Sequence, residues 1–236
     1  ESVVAIRAQG TATADGLRQA KELGFVTRLA KDASGSTPYN VNVTFRRGQP
    51  EVMVTSTLQG LALNLPAPMA KSADTQLPLR YENALTRESL AQPAGEGRPL
   101  QDQLTFDLGR VVSTVFLRDV SGPEARVLRG AIGVGLAPGE SATLPEQGVT
   151  ANINLASVNL DQWEELVGQP APAGARGAPA SGTATGYLPT AAAVRAKELT
   201  VQGRTLHNVV VGVSRDGLTW RGNLDATELN GYAEYR

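Results

Sequence analysis

Near the C-terminus, apolar and polar residues alternate with a period of two between short glycine-containing turns. This pattern constrains the fold of the chain more than any other feature. Val209, Val211 and Val213 share one phase, and Asp216-Gly217 reads as a hairpin turn. Leu218, Trp220 and Leu224 then alternate with Thr219, Arg221, Asn223 and Asp225. Successive side chains of a strand point to opposite faces, so each run makes one apolar and one polar surface. Strands joined by tight turns predict antiparallel meanders.

The same pattern recurs upstream. Val4, Ile6 and Ala8 open a first strand. Val41, Val43 and Phe45 alternate with Asn42, Thr44 and Arg46, and Arg47-Gly48 turns the chain into a partner containing Val52 and Val54. Gly60 interrupts, then Leu61, Leu63 and Leu65 follow at a period of two until Pro66 and Pro68, which donate no ladder hydrogen bond. Leu104, Phe106 and Leu108 alternate, and so do Val149, Ala151, Ile153 and Leu155; Val111 to Arg118 is apolar on both faces. Two short helices are predicted, at 15–23 and 161–167. Thr13 or Asp15 caps the first and Gly24 stops it, and Asp161 and Glu164 stand at capping-box spacing in the second. Ser34–Pro38 reads as a turn cluster. Residues 88–99 and the Pro/Ala/Gly-rich 169–186 read as mobile loops. Both ends fall within strand patterns, so the chain is read as one β-rich segment, 1–236, of a longer protein.

Function classes narrow by exclusion. A net charge of -1 gives no electrostatic footprint for nucleic acid. The absence of cysteine removes disulfides, thiolate metal sites and cysteine nucleophiles. No apolar run is long enough to span a bilayer as a helix. His207 is the only histidine and sits beside a β-turn in a chain with no nucleophile elbow, so a structural or surface role is expected. Gly130-Ala-Ile-Gly-Val-Gly135 lies inside a β pattern, not at the start of a helix, and reads as a closely packed strand. Asp107, Asp119 and Glu124 read as solvated turn charges, and Lys71 as a surface lysine. Asn42-Val-Thr44 matches a glycosylation sequon. No enzyme activity, cofactor or metal is expected.

Four segments in order resemble the AsmA-like superfamily, and within it the YhdP-type proteins of Gram-negative envelopes. They are Thr13–Leu23 (TADGLRQAKEL), Leu58–Lys71 (LQGLALNLPAPMAK), Asn159–Gly168 (NLDQWEELVG) and Val194–Tyr235. The resemblance implies an elongated, curved, taco-like β-sheet with an open apolar groove. It also implies a long periplasmic protein, anchored in the inner membrane by a helix outside this chain. Such proteins are implicated in moving phospholipid between the inner and outer membranes and in maintaining the outer-membrane barrier. The implied ligands are phospholipid acyl chains, and envelope proteins at either membrane are further expected partners. On that reading Leu61, Leu63, Leu65, Val209, Val211, Val213, Leu218, Trp220 and Leu224 are the candidate groove residues. Alternation alone leaves a second reading open: a structural or protein-binding envelope module whose apolar faces close into a sandwich core.

Overall fold

A computed structural model describes residues 4–20, 29–93, 97–167 and 184–236. The chain is mainly β. Thirteen strands follow in order: β1 Ala5–Thr13, β2 Ala33–Arg46, β3 Gln49–Ser56, β4 Leu61–Leu63, β5 Leu79–Leu85, β6 Gln101–Leu108, β7 Val112–Asp119, β8 Arg126–Val134, β9 Gly148–Asn159, β10 Ala191–Val201, β11 Arg204–Asp216, β12 Thr219–Asp225 and β13 Asn230–Tyr235. Three short α-helices interrupt them among the described residues: α1 Ala14–Gln19, α2 Arg87–Ala91 and α3 Leu160–Val167. All strands except β4 form one ribbon in sequence order from β1 to β13, and β4 pairs with the start of β2. The ribbon is open, since β1 and β13 are its two ends.

Most neighbours are antiparallel, as tight turns require. The β2–β3 turn holds Arg47 and Gly48 at positive φ, the conformation that matches strand twist in a two-residue hairpin. Two pairings are parallel, β8 with β9 and β9 with β10, so the sheet is mixed within the mainly antiparallel architecture that the alternation predicts. The connections explain the difference. Residues 135–147 and 160–190 are long enough to carry the chain back to the starting end, which a parallel pair needs.

Several local expectations are corrected. Ser34–Pro38 lies inside β2, because β1 and β4 offer that polar run ladder partners. Gly35 makes this possible at φ +89°, where an added Cβ would meet Gly60 O at 2.2 Å. Part of the expected 88–99 loop is helix α2, capped by Thr86, whose Oγ1 accepts from Ser89 N at 3.2 Å. Thr13 does cap α1, accepting from Gly16 N. The predicted end of that helix and Gly24 lie outside the described residues, as does 169–186 up to residue 183; Ala184–Tyr187 forms a 3-10 turn. Asp161 does not cap α3. Asn159 Oδ1 accepts from Gln162 N at 3.1 Å instead.

The sheet stands as a single layer. Substantial contacts between elements run between ladder neighbours, between a helical turn and a nearby strand, or between α1 and the 3-10 turn Ala30–Asp32. The accessible surface is 15016 Å², against about 10,000 Å² expected for a compact monomer of this mass. One small closed core exists at the N-terminal end. There Ala14, Ala33 and Leu61 are buried together, with Leu17 and Leu63 packed against them.

Candidate functional site: an apolar groove on one face of the sheet

The registers align one row of side chains across all twelve strands of the ribbon. It runs Ala8, Val41, Val54, Tyr81, Phe106, Thr114, Ile132, Ala151, Ala192, Val213, Gly222 and Ala233. The adjacent row, on the opposite face, runs Gln9, Asn40, Thr55, Arg80, Asp107, Ser113, Gly133, Asn152, Ala193, Gly212, Asn223 and Tyr232. Along these two rows one face is apolar almost from edge to edge and the other is mostly polar or small, although Met53, Val115, Leu117 and Val210 lie on the second face in neighbouring rows. No second sheet faces the apolar side among the described residues. Among the described residues the strands do not close into the sandwich that alternation allowed.

Over the C-terminal half the apolar face deepens into a cleft of about 420 Å³. Its floor comes from five consecutive strands: Val112, Val134, Ile153, Leu155, Val158, Val194, Leu199 and Val211. Pro68 and Met69, from the connection between β4 and β5, cover part of it, with Leu160 and Trp163 of α3. Every lining residue, Val111 included, is apolar. Trp163 Nε1 donates to Ala67 O at 3.1 Å, so the two covering pieces touch. Asp161 fixes α3 from the other side, its carboxylate accepting from Gln202 N at 2.6 Å and Gly203 N at 2.8 Å in the β10–β11 turn.

Of the residues singled out in the sequence, Val211 lines this cleft. Val213 and Leu224 lie on the same face by register, and so does Trp220, which pairs with Arg215 and stacks 5.6 Å from its guanidinium. Val209 is 1% exposed and opposes Ala196. Leu218 sits elsewhere. The turn is Gly217-Leu218, because Asp216 pairs with Thr219, and Leu218 stands 80% exposed at its tip. Leu61 and Leu63 belong to the core beneath α1, and Leu65 is buried. The floor residues of β7 to β10 and the cover residues Pro68, Met69 and Trp163 were not singled out. Alternation in 149–155 was a usable signal for Ile153 and Leu155; nothing local marks Trp163 as reaching Ala67.

Several polar groups among the described residues make structural contacts. Lys71 is buried, not a surface lysine: Nζ donates to Leu61 O at 2.7 Å and Ser72 O at 2.8 Å, and burial lowers its pKa. It clips the proline-rich connection back onto β4. Arg118 makes a two-pronged pair with Asp102 and donates to Tyr187 OH at 3.1 Å. Burial opposes its charge, but those hydrogen bonds outweigh it and raise its pKa. Tyr187 in turn meets Phe116 edge-on at 5.0 Å, and Phe116 occupies the space a side chain at Gly130 would need. His207 pairs with Glu228. Asp107, Asp119 and Glu124 do not converge, and no cluster that could hold a metal occurs among the described residues. No described helix is long and apolar enough to cross a membrane.

A family model described as YhdP protein matches residues 1–236, so the chain belongs to the YhdP family. No curated protein and no solved structure matches it.

Proposed function

We propose that this YhdP-family chain is a periplasmic, lipid-binding segment of an inner-membrane-anchored envelope protein that moves phospholipid between the inner and outer membranes. Membership of the family suggests envelope-related lipid transport. The observation that carries the reading is the one-sided row of side chains: largely apolar from edge to edge, interrupted at Thr114 and Gly222, backed by a mostly polar or small one, with an open apolar cleft along it. Water on such a surface is costly, and each methylene an acyl chain buries there is worth about 0.8 kcal/mol. Headgroups are left in solvent, since no polar side chain lines the cleft. A surface that binds hydrocarbon without directional contacts also lets it slide, which a conduit requires and an enzyme site does not.

The test uses two neighbours on β9. Ile153 lines the cleft and Asn152 belongs to the polar row. Native mass spectrometry of the purified chain is expected to show phospholipid-mass adducts. Ile153→Asp removes them by placing an unpaired charge against acyl chains, while Asn152→Asp keeps them. A folded Ile153→Asp protein that retains lipid as the parent does, or a parent chain that carries none, overturns the groove.

A further inference from the structure

The groove has a floor made of one continuous sheet and a cover made of two separate pieces. Pro68 and Met69 reach over it from one side, and Leu160 and Trp163 from α3. Two contacts in the first half of α3 differ in strength. Asp161 accepts two backbone N–H bonds from the β10–β11 turn, and Asn159 caps the helix. On the other side Trp163 Nε1 donates an exposed neutral bond to Ala67 O. Hydrogen bonds to a carboxylate are roughly twice as strong as neutral ones. The helix is therefore anchored on the turn and fastened weakly at Ala67. Trp163 suits that second contact, since its ring body lines apolar space while its N–H reaches a partner.

We infer that α3 and the Pro66–Met69 segment form a strap over the groove, and that the Trp163–Ala67 bond is its latch. Closed, the strap encloses one stretch of acyl chain, which then moves only along the groove. Open, it lets a chain enter or leave sideways. Trp163 touches the hydrocarbon and sets the rate of its lateral exchange. This rests on the lipid reading above.

The chain has two tryptophans. Trp220→Phe leaves Trp163 as the sole indole, and Trp163→Phe leaves Trp220, near the β13 edge of the sheet. The probe is phosphatidylcholine brominated in mid-chain, presented in vesicles; bromine quenches indole emission on close approach. Trp163 is expected to lose most of its emission and Trp220 much less. Trp163→Phe keeps an aromatic ring and removes the N–H. It is expected to speed transfer of a preloaded fluorescent-chain phospholipid to acceptor vesicles about two- to tenfold, the range of one net hydrogen bond, with an unchanged thermal melt. Quenching of Trp163 no stronger than that of Trp220, or transfer from Trp163→Phe at the parent rate, overturns the latch. Native mass spectra of the same variants separate the two failures. Lipid still held alongside those results leaves the groove standing without a latch, and lipid absent throughout brings down both.

Discussion

Trp163 and Ala67 lie 96 positions apart and meet in a 3.1 Å hydrogen bond over the groove. They belong to two of the sequence segments that resemble the family, LPAPMAK and NLDQWEELVG, so the fold brings those two segments into contact. Each is also held by contacts of its own. Lys71 clips the first to β4, and Asp161 fastens the second to the β10–β11 turn.

Asp161→Ala is expected to free the Gln202 and Gly203 amides without dissolving the hairpin. Their hydrogen exchange rises while that of the flanking ladder amides stays put. Asn159→Ala removes the α3 cap and costs that helix about 1 kcal/mol. If Asp161 were the cap, Asp161→Ala would instead fray α3 and leave the turn amides protected.

Alternation made the one-sided face legible, because a period of two reports face membership without knowledge of partners. It could not report register. Asp216-Gly217 is a strong turn signal, yet the turn is Gly217-Leu218, and that slip of one residue lifts Leu218 off the face it was assigned to. Periodicity was also silent on whether a leucine lines a groove or a closed core. Leu61 is buried because α1 returns over β4, a contact set by chain path. Lys71 is hidden for the same reason: the carbonyls that hold it come from β4 and from the residue that follows it. The parallel pairings depend on where long connections end, and composition does not say.

Arg118 and Asp102 form the most deeply buried ion pair among those described, with side chains 11% and 5% exposed. Removing one partner leaves the other charge buried and unmatched, which costs about 3–5 kcal/mol. Arg118→Met is therefore expected to lower the melting temperature sharply. The double variant Arg118→Met, Asp102→Leu recovers much of the loss, since an apolar pair leaves no orphaned charge. Additive losses in the double variant would contradict this account.

Glu228 accepts from the His207 backbone N–H at 2.8 Å and meets its Nδ1 at 2.5 Å. The backbone hydrogen bond, then the ring contact, lowers its carboxyl pKa. A carboxylate with a depressed folded pKa stabilises the fold above its unfolded pKa, and that stability fades as pH falls through the folded value. Protection of the His207 amide is thus expected to hold at neutral pH and fade below the ordinary glutamate range. Glu228→Gln should lose this acid dependence, as amide-resolved exchange across the acid range would show. An unchanged acid profile in Glu228→Gln would assign it to another group.

Leu61 and Val211 were placed together by the sequence and lie in different environments. Leu61 is 3% exposed inside a closed cluster with Ala14 and Ala33. Val211 is half-buried and lines an open cleft. Leu61→Ala leaves a cavity that its neighbours cannot fill, so a cost of about 2–5 kcal/mol is expected. Val211→Ala widens a space already open on one side, so little packing is lost and the melt moves slightly. Aspartate sharpens the contrast. Leu61→Asp is expected to unfold the N-terminal core, because a buried unpaired charge is among the most destabilising single changes. Val211→Asp should melt near the parent and lose bound lipid. Denaturation curves and native mass spectra on the four proteins decide the matter. A Val211→Asp chain that unfolds as Leu61→Asp does would mean that β11 packs into a closed core.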